Sequence, residues 1–145
     1  MPVGRDRGAE SQAGQGIREG GMAYRILIAD DEPNIVVSLE FMMKREGYEV
    51  SIARDGQQAL DAILREKPDL VLLDAMMPGM SGFDVCQAVR ARDELRDTKI
   101  LMLTAKGRDT DIAKGLGVGV DAYVTKPFST RDLVRKVQDL LDGAA

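Results

Sequence analysis

The sequence predicts an α/β protein, a (βα)5 three-layer sandwich in which one mainly parallel five-stranded sheet lies between helices. Three observations carry this. From Tyr24 onward, short apolar runs alternate with stretches whose apolar residues recur at helical spacing, the pattern of successive βαβ units with right-handed crossovers. The runs "YRILIA", "DLVLLD" and "KILMLT" are almost wholly apolar, as expected of strands covered by helices on both faces. At 145 residues, with no internal repeat, the chain suffices for one domain and is short for two.

The elements follow in order. Residues 1–21 are rich in Gly, Ser and Gln; Asp6, Glu10 and Glu19 balance Arg5, Arg7 and Arg18, and no apolar periodicity is present. Such a segment buries too little to offset its ordering entropy, which predicts a disordered tail before a domain at 22–145. A strand at 24–29 leads to a helix at 33–47, with Pro33 suited to its first turn and Gly47 to its end. A strand at 48–53 precedes a helix capped by Asp55, with Ala59, Leu60, Ile63 and Leu64 on one face and Pro68 as its stop. The third strand is 69–74. Ser81 and Asp84 have capping-box spacing before a helix that carries Val85 and Val89. A strand at 99–104, a helix at about 109–117 punctuated by glycines, and a strand at 121–125 come next. Ser129 and Asp132 then open a last helix with Leu133, Val134, Val137, Leu140 and Leu141 on one side.

Composition excludes several functions. No histidine is present, which removes Ser-His-Asp and Cys-His catalysis, histidine-ligated metals and any internal phosphohistidine. The single cysteine, Cys86, forms no internal disulfide and reads as a packed thiol beside Val85 and Val89. A net charge of −4 argues against a nucleic-acid partner. No run approaches the roughly 20 apolar residues of a membrane span, and no secretory signal is evident, so a cytoplasmic protein is expected.

Chemistry gathers at the strand ends. Strand one ends in Asp30 and Asp31, strand three in Asp74, strand four in Thr104 and strand five in Lys126. Sheets of this class hold their sites at the carboxyl ends of the strands, so the five residues share one rim. Singly, each is an ordinary turn acid or surface charge; their common position sets them apart. Three close carboxylates repel one another unless a cation compensates, and an oxygen-only donor set suits a hard ion such as Mg²⁺. With a divalent ion and Lys126 the site becomes neutral enough to admit a phosphoryl group, which a carboxylate can accept as an acyl phosphate.

The segments "ILIADDEPN", "LVLLDAMMPGMSGF", "ILMLTA" and "DAYVTKPF", in this order and spacing, resemble the receiver domain of bacterial two-component response regulators, from about Tyr24 to Leu141. The resemblance implies a flavodoxin-like fold with strand order 2-1-3-4-5, of which the chemotaxis member of the family is a standard example. It implies Asp74 as phosphoacceptor, Asp31 as a direct Mg²⁺ ligand, Asp30 acting mainly through water, and the Met76 backbone carbonyl as a further ligand. By the same resemblance Lys126 pairs with the acceptor and its phosphoryl group, and the Lys126–Pro127 bond is cis. Thr104 would hydrogen-bond a phosphoryl oxygen and Tyr123 would turn inward with it, reshaping the face made by 109–117, the last strand and the last helix. Gly115, Gly117 and Gly119, with Val120 where a small residue is usual, depart from the family's pattern on that face.

The implied partners are a sensor histidine kinase or a histidine phosphotransfer protein, and a downstream protein target. The implied assembly is a monomer or a phosphorylation-dependent dimer. Apart from gaining and losing its own phosphoryl group, the chain is expected not to be an enzyme. It ends soon after Lys126, so a stand-alone receiver is expected, signalling by docking or passing its phosphoryl group onward in a phosphorelay. Competing functions fit less well. A flavin carrier needs a phosphate loop where "ADDEPN" is acidic, an aspartyl phosphatase usually has a second aspartate where Met76 stands, and an unphosphorylated receiver-like module usually lacks some of the acids or the lysine.

Overall fold

The computed structural model describes residues 21–105 and 117–143. Its elements are β1 (Arg25–Ala29), α1 (Pro33–Arg45), β2 (Glu49–Ala53), α2 (Gly56–Glu66), β3 (Leu70–Asp74), α3 (Gly82–Arg90), a 3-10 turn (Asp93–Leu95), β4 (Lys99–Ala105), β5 (Ala122–Lys126) and α4 (Thr130–Leu141). Every strand pairing is parallel and the sheet order is β2-β1-β3-β4-β5. The fold class and the implied strand order are thus those observed. The tail expected at 1–21 lies outside the described residues except for Gly21, and the helix expected at 109–117 does so except for Gly117.

Local chemistry sets the boundaries. The Asp55 side chain accepts from Gln58 N at the start of α2. Ser81 and Asp84 form a complete capping box on α3, and Ser129 accepts from Asp132 N to cap α4. Gly47, beyond α1, has φ +93°, which a side chain would strain. β5 runs one residue later than expected, from Ala122 to Lys126. Asp121 is held before it, with its carboxylate accepting from Ile100 N at 2.7 Å and from Arg90 Nη2 at 2.7 Å.

Alternation along the strands divides the core in two. Ile26, Ile28, Leu70, Leu72, Leu101, Leu103 and Val124 face α1 and α4, packing with Val36, Leu39, Met43, Leu133 and Val137. Leu27, Ala29, Val71, Leu73, Ile100 and Met102 face α2 and α3, packing with Ala59, Ile63, Val85, Cys86 and Val89. Continuous apolar strands therefore feed two separate cores, since successive side chains point to opposite faces. Among the described residues no helix is long and apolar enough to cross a membrane.

Candidate functional site

Strand parity positions the site residues. Asp74 follows Leu70 and Leu72, and Lys126 follows Val124, so both project on the α1/α4 side of the sheet. Thr104 follows Ile100 and Met102 on the opposite side, where Tyr123 also packs. Asp74 is paired in register with Leu103, which brings Thr104 to the same rim.

At that rim, carboxylate oxygens of Asp30, Asp31 and Asp74 lie within 4.8 Å of one another. Asp30 is fully buried, Asp74 is 6% exposed and Asp31 is exposed. Asp31 and Asp74 border a cleft of about 290 Å³ lined also by Glu32, Ala75, Met76, Ala105 and Lys126. The Lys126 ammonium sits 2.9 Å from Asp30 Oδ2, 2.9 Å from Glu32 Oε1 and 3.6 Å from Asp74 Oδ1. Its nearest partners are thus Asp30 and Glu32, with the acceptor candidate third. Sequence reasoning missed Glu32, although it belongs to the quoted "ADDEPN" segment.

The charge balance is incomplete. Burial pushes the Asp74 carboxyl up to about 7 and the Asp30 charge adds to it, against opposing contributions from Lys126 and the Met76 N–H. Burial alone would lower Lys126, but pairing with Glu32 and Asp30 and the nearby Asp74 charge outweigh it and raise the ammonium to about 12. Asp30 Oδ1 accepts from Glu32 N at 2.9 Å. Asp30 Oδ2 has the Lys126 ion pair but no aligned hydrogen bond, although it is buried. One lysine therefore leaves a carboxylate cluster that favours further positive charge. The donors are all oxygen, one carboxylate oxygen has coordination to spare, and the cluster opens to a cleft, so these residues fit a small hard cation.

The loop after Asp74 is fixed by close backbone contacts. Asp74 Oδ1 accepts from Met76 N at 3.2 Å, Ala75 N donates to Leu103 O at 2.9 Å, and Gly82 N donates to Ala75 O at 3.0 Å. Met76 is 54% exposed at the cleft, whereas Met77 is buried. A Cβ on Gly82 would collide with the carbonyl oxygen of Asp74, which has no flexible side-chain atom to move aside. Gly82→Ala is therefore expected to destabilise the fold by roughly 2–4 kcal/mol, in the range of overpacking and strain. Urea unfolding checks this, and a loss below about 0.5 kcal/mol would show that the loop yields freely.

Other sequence-predicted residues are placed as follows. Thr104 is buried at the end of β4, and Tyr123 is half-buried in β5. The Lys126–Pro127 bond is cis. Cys86 is buried, its Sγ donates to Val118 O at 3.4 Å, and burial pushes the thiol up to about 11, as suits a packed thiol.

The family model described as the response regulator receiver domain matches residues 26–138. Among solved structures, a response regulator of Chloroflexus aurantiacus described as putative is 34% identical, with TM-score 0.79, covering 82% of this chain and 98% of that one. A chemotaxis response regulator of Vibrio cholerae is 32% identical, with TM-score 0.75, covering 81% and 98%. The receiver domain of a sensor histidine kinase from Pseudomonas aeruginosa is 30% identical, with TM-score 0.77, covering 82% and 98%; it holds a magnesium ion in its active-site cleft. A family match over most of the length, joined by relatives aligned over nearly their whole chains, places this protein in the response regulator receiver domain family, the phosphoacceptor modules of two-component signalling.

Proposed function

We propose that this chain accepts a phosphoryl group from the phosphohistidine of a sensor histidine kinase onto Asp74, with Mg²⁺ held by Asp30, Asp31, Asp74 and the Met76 carbonyl. The carrying observation is the convergence of three carboxylates within 4.8 Å beside the Lys126 ammonium. An Asp74 carboxylate oxygen attacks phosphorus, the O–P bond of an acyl phosphate forms and the donor N–P bond breaks. The electron pair returns to the imidazole, which takes a proton from solvent. Mg²⁺, when bound, supplies positive charge against the phosphoryl oxygens and lowers the cost of ionising Asp74.

The chain's own residues do the rest. Lys126, anchored by Asp30 and Glu32, is the fixed cation 3.6 Å from the acceptor oxygen and close enough to shift to a phosphoryl oxygen. The Met76 N–H holds Asp74 Oδ1 and so orients the carboxylate. Incubation with acetyl phosphate and Mg²⁺ is expected to add one phosphoryl group to the intact mass, with none added in EDTA. Equal labelling with and without the metal would refute the metal-dependent mechanism.

Output is assigned to the Thr104–Tyr123 side. Thr104 moving toward the new phosphoryl oxygens would vacate space on the sheet face that Tyr123 shares, coupling Asp74 to β5 through one two-state element. Amide exchange with beryllofluoride and Mg²⁺ is expected to change most across 117–128. Thr104→Ala should at least halve that change while Asp74 still accepts phosphate. Changes confined to α2 would place the output face elsewhere.

A further inference from the structure

We propose that Arg90 is a positioning residue of the switch: from the end of α3 it clips the chain just before β5 and holds the foot of that strand while the rim end responds to phosphorylation. The Arg90 guanidinium donates in three directions, through Nε to Gly119 O at 2.9 Å, through Nη1 to Thr98 O at 2.9 Å and through Nη2 to Asp121 Oδ2 at 2.7 Å. Asp121 Oδ2 also accepts from Ile100 N at 2.7 Å, and Asp121 N donates to Ile100 O at 3.0 Å. One side chain thus ties α3 to the residue before β4 and to the approach to β5. A second tie from the same helix is Cys86, whose Sγ donates to Val118 O at 3.4 Å. The Arg90 stem lies against the loop, since a Cβ on Gly119 would stand 3.1 Å from Arg90 Cγ. A planar guanidinium fork can satisfy three such acceptors at once, and a lysine ammonium on its flexible stem cannot.

The fifth strand needs a fixture of this kind. It is the last in the sheet order, bonded among the described residues to β4 alone. Only Val124 of its five residues is buried, whereas all five of β3 are. Packing therefore holds β5 weakly, and a slip of one residue would carry Tyr123 to the opposite face. Asp121 opposes that slip, because it engages both the N–H and the C=O of Ile100, one rung before the Leu101–Ala122 pair. At the other end Lys126 is tied to Asp30 and Glu32. Residues 121–126 span about 16 Å, so the clip is remote from the acceptor. Tyr123 stands two residues from the held foot, on the sheet face that packs against α2 and α3. When Thr104 and Lys126 shift at the rim, a held foot converts the shift into a turn of Tyr123. A free foot lets the strand slide and disperses it. The inference rests on the Thr104–Tyr123 reading of the output side.

The test uses the full chain labelled with 3-fluorotyrosine, the Tyr123 signal being assigned through Tyr123→Phe. Its ¹⁹F shift is measured with and without beryllofluoride and Mg²⁺, beside amide exchange and acetyl phosphate labelling. In Arg90→Ala the ligand-induced Tyr123 shift is expected to fall to half or less. Exchange across 121–126 should speed up at least ten-fold without ligand, against at most two-fold for 26–29 and 70–74, while Asp74 labelling stays within two-fold. Arg90→Lys keeps the charge and the stem over Gly119 but reaches fewer acceptors, so it should lose at least a third of the shift; it carries the test if Arg90→Ala does not fold. An undiminished Tyr123 shift in either variant, or exchange that rises equally in β1, β3 and β5, would overturn the clip while leaving the output reading intact. No Tyr123 shift in the unmodified chain would remove the output reading and the clip with it.

Discussion

Asp74→Asn is expected to reduce labelling by acetyl phosphate at least about a thousand-fold, equivalent to roughly 4 kcal/mol of lost transition-state stabilisation, while the fold is retained. An amide is a poor nucleophile, and the alternative acids are badly placed to take over. Asp30 is fully buried and held by Lys126 and the Glu32 N–H. Asp31 is exposed and has no described contact with Lys126. The Asn side chain can still accept from Met76 N, so the loop geometry has no cause to change. Intact-mass kinetics and peptide mapping check the result. Wild-type labelling rates in the variant, with the phosphoryl group on another residue, would overturn the assignment of Asp74.

The same substitution is expected to stabilise the metal-free protein at pH 8, by roughly 2 kcal/mol, about half of what a shift of this size gives in full. The Asp74 carboxyl is raised from 3.8 to about 7, so the folded state keeps a proton that the unfolded state has released. Stability from this group is fully present below about pH 4 and declines as pH rises through 7, where the folded carboxyl finally ionises beside Asp30. Asn removes that penalty, and Lys126 keeps Asp30 and Glu32 as partners at 2.9 Å. The gain corresponds to roughly 6 °C in melting temperature for a domain of this size. Melting curves at pH 5 and pH 8 in EDTA check it: the variant's advantage should be larger at pH 8. Added Mg²⁺ should raise the wild-type midpoint at pH 8 through preferential binding to the folded state, and should do so far less in Asp31→Ala. An advantage independent of pH would remove the carboxyl's charge as its cause.

The site was legible in the sequence to the extent that it follows from periodicity. Asp74 stands out because an apolar run of strand length ends on it, and strand alternation then decides which face it shares with Lys126. Caps were legible for the same local reason, as Ser81 with Asp84 and Asp55 with Gln58 are neighbours within one helical turn. Glu32 was not. Its partner Lys126 is 94 residues away, and nothing in the spacing indicates that the lysine lies nearer Asp30 and Glu32 than Asp74. Gly82 was equally silent, because its close packing is against the carbonyl oxygen of Asp74, a contact made only when the loop closes.

By itself the sequence determined the alternation of strands and helices, the ends of most helices, the two-sided burial of β1, β3 and β4, and the set of acids at one rim. These depend on periods of two and 3.6 residues and on side chains that bond their own backbone, interactions that operate within a few positions of each other. The tertiary structure decided the order of the lysine's partners, the start of β5 at Ala122 rather than Asp121, and the meeting of Arg90 with Thr98, Gly119 and Asp121. Those distances are set by parallel register and by crossover helices that return each strand to the same rim. A shift of one ångström there changes which charge is nearest, and no local pattern encodes it.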